Sequence, residues 1–175
     1  MLSKSENAVQ FSQEKDGSQQ VNDSPNRNKR VLIVGNFLSA RIGTQGICET
    51  LAIKLHSIEW HVEITSTKAG RFARICDMAL TTWRTRNSIS VAIVDVYSGA
   101  GFIWAETVSW LLKLLGKQYI LVLRGGNLPL FAQRWPGRVR RLLKRADVVV
   151  TPSQNLQSAL AGFRSDIIVL RNALD

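Results

Sequence analysis

Short apolar runs alternate with amphipathic segments along most of the chain. The run Val31-Leu32-Ile33-Val34 is continuous and is bounded by Gly35. Runs of this kind are typical of strands that are buried on both faces of a parallel sheet. After the next two glycines, apolar residues recur at spacings of three and four, which predicts one helix face: Ile47, Cys48, Leu51, Ala52, Leu55 and Ile58.

The same alternation predicts five more strands and four more helices. The strands are expected at residues 61–67, 89–96, 119–123, 147–151 and 167–170. Helices are expected at 102–115, at 136–145, after a capping Ser153, and on a face formed by Phe72, Ile75, Cys76, Ala79, Leu80 and Trp83. Strands that alternate with helices predict an α/β fold, a Rossmann-like doubly wound parallel sheet of about six strands with helices on both faces.

The composition indicates one folded domain behind a polar leader. Of the 175 residues, 45% are hydrophobic and 21% are charged, which is typical of a globular domain. Residues 1–29 are polar and predict a disordered leader, so the domain is expected at 30–175. Two cysteines and no Cys/His cluster exclude a disulfide scaffold and predict no metal site. The N-terminus has no apolar signal core, which favours a cytoplasmic protein.

The charge is basic and unevenly distributed. The chain has 23 Lys and Arg against 13 Asp and Glu, a net charge of +10. One stretch holds seven cations and no acid: Arg124, Arg134, Arg138, Arg140, Arg141, Lys144 and Arg145. Such a patch suits a phosphate, an anionic membrane surface or a nucleic acid, and a solvated helix face is the alternative.

The predicted ligand side is the edge where the strands end, because doubly wound sheets bind ligands beyond the carboxyl ends of their strands. The first strand-end loop holds Gly43 and Gly46 but neither a dinucleotide fingerprint nor a P-loop. The second strand does not end in the acid that a dehydrogenase uses to hold ribose. Asp95 and Ser98 follow the third strand, where a carboxylate is costly unless it is paired or lies in a cleft.

The end of the fourth strand has the densest set of candidate residues. Arg124 can bind a carboxylate or phosphate through two parallel hydrogen bonds. Gly125 and Gly126 expose the backbone behind it, and Asn127 follows. A turn with a solvated arginine is the alternative. Two histidines fall on the opposite edge and are interpreted as structural: His56 and His61.

The string YILVLRGGNLPLFAQRWPGRVRRLLKRADVVVTPSQNLQSAL resembles the second half of the N-terminal domain of family 4 glycosyltransferases, which have the GT-B fold. The loop RIGTQG at 41–46 is similar to the family's glycine loop. The segment ADVVVTPS at 146–153 is similar to its AD-x-V-x-x-x-S segment, and NALD at 172–175 to the PNGID that leads into the second domain. The resemblance covers residues 31–175.

The resemblance implies a domain that faces a second Rossmann-like domain across a cleft. The second domain binds the nucleotide-sugar donor, and the N-terminal domain binds a glycan or lipid-linked acceptor, with no metal or other cofactor. Gly43 and Gly46 would approach the donor diphosphate or the transferred sugar. The acceptor side would be lined by Asp95, Ser98, Arg124, Gly125, Gly126 and Asn127. Arg124 is the candidate catalytic residue, but it replaces a histidine of many relatives and cannot act as a neutral acceptor or proton shuttle.

The sequence lacks the family's donor domain with its paired-glutamate motif, so three expectations stay open. The first is the acceptor-side domain of a polysaccharide-building transferase, truncated and inactive alone. The second is one half of a split transferase, with the donor domain on another chain. The third is a non-catalytic basic module at an anionic polymer or the inner membrane face, with nucleic acid not expected, through Arg134, Arg138, Arg140, Arg141, Lys144 and Arg145.

Overall fold

The computed structural model describes residues 29–35, 47–65 and 70–170. Residues 1–28 of the predicted leader at 1–29, the glycine loop with Gly43 and Gly46, and the segment at 172–175 lie outside the described residues. The first strand begins at Arg30, where the sequence predicts that the fold starts.

Six strands form one sheet, and every neighbouring pair is parallel. They are β1 Arg30–Val34, β2 His61–Thr65, β3 Val91–Val96, β4 Gln118–Leu123, β5 Val148–Thr151 and β6 Ile168–Val169. The order across the sheet is β2-β1-β3-β4-β5-β6. Together with the helices between the strands, this confirms the Rossmann-like α/β fold that the alternating pattern predicts.

The described residues form six helices, one more than the pattern predicts. They are α1 Ile47–Ser57, α2 Arg71–Thr85, α3 Ala100–Leu114, α4 Leu128–Arg134, α5 Pro136–Arg145 and α6 Gln154–Leu160. Helix α4 was not predicted, because its seven residues are too few to show a helical period. Pro129 lies in its first turn, where proline is tolerated. Ser153 caps α6 as expected and accepts a hydrogen bond from the Leu156 amide. None of these helices is long and apolar enough to cross a membrane.

The apolar side chains of β1 pack into two hydrophobic clusters. Successive side chains of a strand point to opposite faces of the sheet. Val31 and Ile33 pack in one cluster with Cys48 of α1. Leu32 and Val34 belong to the larger cluster, which contains residues of α2 and α3. Every residue of the strand after the first is therefore buried, as a doubly covered parallel strand requires.

The predicted inward face of α2 is wrong, although the helix itself is confirmed. Phe72, Leu80 and Trp83 are exposed by 86%, 47% and 48%. The inward positions include Arg74 and Thr82, which are 5% and 0% exposed. The apolar pattern predicted the opposite face because two of the residues that turn inward are polar. The first of them, Arg74, lies beside a cavity described below.

The strand order places a crevice at one edge of the sheet. Strand β1 lies between β2 and β3. From β1 the chain crosses to β2 on one side, whereas from β3 it crosses to β4 on the other side. At such a switch point the connections diverge and leave room for a ligand. The register pairs Val96 with Leu123, so β3 and β4 end level, and pairs Val34 with Val94, so β1 ends two residues before β3.

Candidate functional site

A buried ion pair lies where β3 and β4 end. The Arg124 amide donates to the carbonyl of Val96 at 2.8 Å, which extends the strand pairing by one residue. The Arg124 Nε then lies 2.9 Å from Oδ2 of Asp95, in side chains that are only 8% and 2% exposed. This contact is an ion pair between buried side chains. Arg124 is therefore not the solvated arginine of the alternative interpretation.

Two further groups lie beside the Asp95 carboxylate. Cys48, in the first turn of α1, donates its thiol to Oδ2 at 2.5 Å. Tyr97 also lies close enough to Asp95 to interact with its charge. Burial, and then the negative charge of Asp95, raise the pKa of Tyr97 to about 12. Tyr97 is thus neutral near pH 7, and Asp95 is held by contacts from α1 and from the end of β4.

Two glycines allow the chain to pass close to this pair. A Cβ at Gly35, directly after β1, would stand 2.7 Å from the Cys48 sulfur and 3.6 Å from Oδ2 of Asp95. Gly125 follows the arginine with φ of +88°, a left-handed conformation that favours glycine. A Cβ there would lie 3.6 Å from the Tyr97 ring. Gly35 therefore lets the end of β1 pass close to Cys48, and Gly125 lets the chain turn directly after Arg124.

Two cavities share Tyr97 as a wall. The smaller, of about 290 Å³, lies at the ends of β1 and β3 against α2 and α3. Its wall includes Asp95 and Arg74, and the Arg74 guanidinium carbon lies 4.7 Å from the centre of the Trp104 ring. Burial lowers the pKa of Arg74 from its ordinary value. The larger cavity, of about 620 Å³, lies at the ends of β4 and β5 and includes Arg124.

The structure brings some of the predicted residues together and leaves others apart. Asp95 and Arg124 form the ion pair, and Gly125 and Gly126 line the larger cavity with Arg124. Ser98 and Asn127 follow β3 and β4 at the same edge but line neither cavity. Gly43 and Gly46 lie outside the described residues. Within the described parts of the chain, no three His, Cys, Asp or Glu residues lie close enough together to hold a metal ion.

Sequence reasoning missed several residues that shape the site. Tyr97 lies in a strand-end segment that was predicted to bind ligand, but a lone tyrosine carries no motif. Cys48 fits the apolar face of α1, which hides its contact with Asp95. The only available signal for Arg74 is its spacing of four from Met78 and eight from Thr82, the two other inward residues of α2.

The fold and site together define an α/β protein with a Rossmann-like sheet, which holds a buried arginine–carboxylate pair at its switch-point edge. No family model and no curated protein matches the chain.

Proposed function

We propose that the chain is the acceptor-side domain of a family 4-like glycosyltransferase, which transfers a sugar from a nucleotide-sugar donor to a glycan or lipid-linked acceptor. One observation carries the proposal. Two separate segments that resemble the family meet at the larger cavity. Residues 124–126 belong to RGGNLP, and Pro152 and Ser153 belong to ADVVVTPS.

The charges at this cavity fit a role in sugar transfer. Negative charge develops on the departing phosphate of a nucleotide sugar, and fixed cations and N–H donors stabilise it. Arg124 is such a cation, since Asp95 holds it in place at 2.9 Å. In this proposal Arg124 orients and stabilises anionic groups at the cavity, and Asp95 is a positioning residue. Neither residue acts as the proton shuttle that a histidine provides.

The proposal places donor binding on a second domain, in cis or on another chain. The isolated domain would leave the donor phosphate open to water, which screens the field of a nearby cation. We therefore expect weak donor binding and no measurable transfer from this chain alone. Transfer is expected once a family 4 donor domain is fused to its C-terminus or added in trans.

Two glycine variants test whether the larger cavity binds the acceptor. A Cβ at Gly126 or at Gly137 meets nothing within 4 Å, so both sites accept a side chain without a clash. Gly126 lines the cavity, whereas Gly137 lies in α5 and does not. Gly126→Leu should abolish acceptor binding in ligand-observed NMR with a panel of sugars, and transfer in the fused protein. Gly137→Leu should change neither.

Two outcomes would contradict the proposal. Equal acceptor binding by both glycine variants would place the acceptor elsewhere. Transfer by the purified chain alone that is lost in Arg124→Ala would show that the site is complete without a donor domain.

A second candidate function is binding to an anionic membrane surface through α5. The apolar residues of this helix, Val139, Leu142 and Leu143, are buried. Its solvent face therefore consists of cations: Arg140, Arg141, Lys144 and Arg145. Arg138 contributes less, because it bonds Glu106 of α3.

Vesicle co-sedimentation tests the second candidate. Each basic residue near an anionic surface contributes about 1 kcal/mol, and the Debye length shrinks to about 10 Å at 0.1 M salt. Binding to phosphatidylglycerol vesicles should fall with added salt and in Arg141→Gln/Lys144→Gln, but not in the exposed control pair Lys54→Gln/Arg84→Gln. Equal binding to phosphatidylcholine, or equal losses in both pairs, would remove this candidate.

A further inference from the structure

Helix α2 turns its most apolar side away from the core. Its inward side includes Arg74 and Thr82, which are both buried. Its outward side carries Phe72, Leu80 and Trp83, which are spaced by eight and three residues and therefore lie on one side of the helix. A surface helix normally buries its apolar side against its own domain. The inverted orientation of α2 therefore indicates a contact outside the domain.

Helix α3, the neighbour of α2, also presents large apolar side chains outward. Ile103, Trp110 and Leu114 are 45%, 56% and 65% exposed. Their spacing of seven and four residues places them on one side of α3, opposite the buried residues that pack in the core. The contact between Arg74 and Trp104 joins the two helices. Six exposed side chains thus form one apolar surface on neighbouring helices: Phe72, Leu80, Trp83, Ile103, Trp110 and Leu114.

The cationic face of α5 belongs to the same layer of helices. Helix α3 contacts α5 through Arg138, which bonds Glu106 and lies 5.6 Å from the centre of the Phe102 ring. The buried residues of α2, α3 and α5 pack in a single core cluster, so all three helices cover the same side of the sheet. Among the described side chains of these helices, none of the exposed ones is acidic. The layer therefore combines the apolar surface with positive charge.

This combination favours an anionic membrane over a second copy of the chain. In a twofold dimer the same surface meets itself, so the cations of α5 would approach a layer whose described side chains include no exposed acid. An anionic bilayer offers lipid phosphates to the cations and an apolar interior to the side chains of α2 and α3. Amphipathic helices bind bilayers in this way, with the apolar side buried about 5–10 Å deep.

The aromatic residues of the apolar surface suit the boundary between headgroups and acyl chains. Tryptophan is enriched at this boundary, because its ring is apolar and its N–H is polar. Trp83 and Trp110 lie on the apolar surface, one on each helix. The Arg86 guanidinium lies 4.4 Å from the centre of the Trp83 ring. A cation held beside a ring matches a lipid phosphate that lies beside the first apolar atoms of the bilayer.

We propose that the apolar surface of α2 and α3 inserts into an anionic membrane while the cations of α5 contact the lipid headgroups. The inference rests on the second candidate function in one respect, since α5 supplies the electrostatic part of binding. It adds two further helices and a part of the binding that salt does not screen. It requires neither a donor domain nor sugar transfer.

Quenching by brominated lipid on the full chain tests the insertion. Bromine on the acyl chains quenches tryptophans that reach the acyl region, whereas a protein held by charge alone stays at the headgroups. Phosphatidylglycerol vesicles with brominated acyl chains should therefore quench the fluorescence of the unmodified chain. The sequence has five tryptophans, so Trp83→Phe/Trp110→Phe remains fluorescent. This variant should still bind the vesicles but lose most of the quenching.

Two pairs of glutamine substitutions provide the comparison. Phe72→Gln/Leu114→Gln removes one exposed apolar side chain from each helix. Ile53→Gln/Ile58→Gln is the matched control, because these residues are 59% and 58% exposed in and directly after α1, which covers the other side of the sheet. The first pair should lower partitioning into phosphatidylglycerol vesicles at least about tenfold, a difference of about 1.4 kcal/mol. The control pair should leave partitioning unchanged, and circular dichroism should show both variants folded.

The outcomes separate this inference from the second candidate function. Sedimentation with the vesicles without quenching would overturn the insertion and leave electrostatic binding by α5 standing. Equal losses of partitioning in the two glutamine pairs would also overturn the insertion. Failure to sediment with the vesicles at low salt would remove both. Self-association that is lost in Phe72→Gln/Leu114→Gln, in a chain that ignores vesicles, would assign the apolar surface to a second copy instead.

Discussion

Removal of Arg124 should destabilise the fold more than removal of any surface arginine. At 4 Å and an effective dielectric constant of 20, a pair of unit charges interacts by about 4 kcal/mol. The pair of Arg124 and Asp95 is closer than that, with 2.9 Å between Nε and Oδ2. Breaking a buried pair usually costs about 3–5 kcal/mol, because one charge remains without compensation. We expect about 3 kcal/mol for Arg124→Met, since Cys48 still donates to the carboxylate.

The chain contains a matched control for this substitution. Arg138 of α5 pairs with Glu106 of α3, and these side chains are 37% and 31% exposed. Partly exposed pairs are screened by water and contribute about 1 kcal/mol or less. Arg138→Met should therefore cost no more than that, although it removes the same side chain from the same type of pair.

Urea unfolding followed by circular dichroism measures both variants. Asp95→Asn and the double variant Asp95→Asn/Arg124→Met complete a thermodynamic cycle. The double variant should be more stable than the sum of the single losses predicts, by at least about 2 kcal/mol. Equal losses in Arg124→Met and Arg138→Met, or additive losses in the cycle, would refute the reasoning that burial makes this pair strong.

Three further predictions concern the same fold. Gly35→Ala should cost about 1–3 kcal/mol in urea unfolding, because its Cβ would stand 2.7 Å from the Cys48 sulfur, and Cys48→Ala should recover most of that loss. Burial is the main cause that raises the pKa of both tyrosines, Tyr97 and Tyr119, to about 12, so tyrosinate absorbance should appear near pH 12 in the folded chain and near pH 10 in denaturant. The folded state then holds more protons than the unfolded state between these values, and stability should fall as the pH rises from 10 to 12. Arg164→Met should lose about 2 kcal/mol in a denaturant titration, because its Nη1 donates to two carbonyl oxygens around the end of α5 at 2.6 Å each.

The strands could be predicted from the sequence because their pattern has a direct physical cause. A strand covered on both faces buries every side chain, so β1, β3 and β5 appear as continuous apolar runs. The alternation of strands and helices then fixes the fold class, and the fold class fixes the ligand edge. Asp95 and Arg124 were candidates for that reason, and they lie within 2.9 Å of each other.

The parts that could not be predicted depend on packing between segments. An apolar pattern places Phe72 and Trp83 of α2 inward, yet both are exposed, whereas Arg74 is buried beside Trp104. Periodicity cannot anticipate this, because the partner of Arg74 lies on α3, thirty positions along the chain. The thiol of Cys48 is a similar case, since its bond to Asp95 joins residues 47 positions apart.

The position of Tyr97 links the two cavities of this edge. Its side chain lines both and interacts with the charge of Asp95, the carboxylate that holds Arg124. A ligand that displaces the ring from one cavity would therefore change the shape of the other. Because the pKa of Tyr97 is raised to about 12 and arginine stays protonated in proteins, neither the tyrosine nor Arg124 changes its charge near pH 7. Coupling between the cavities near pH 7 would therefore arise from packing around Tyr97 rather than from a change in the protonation of either group.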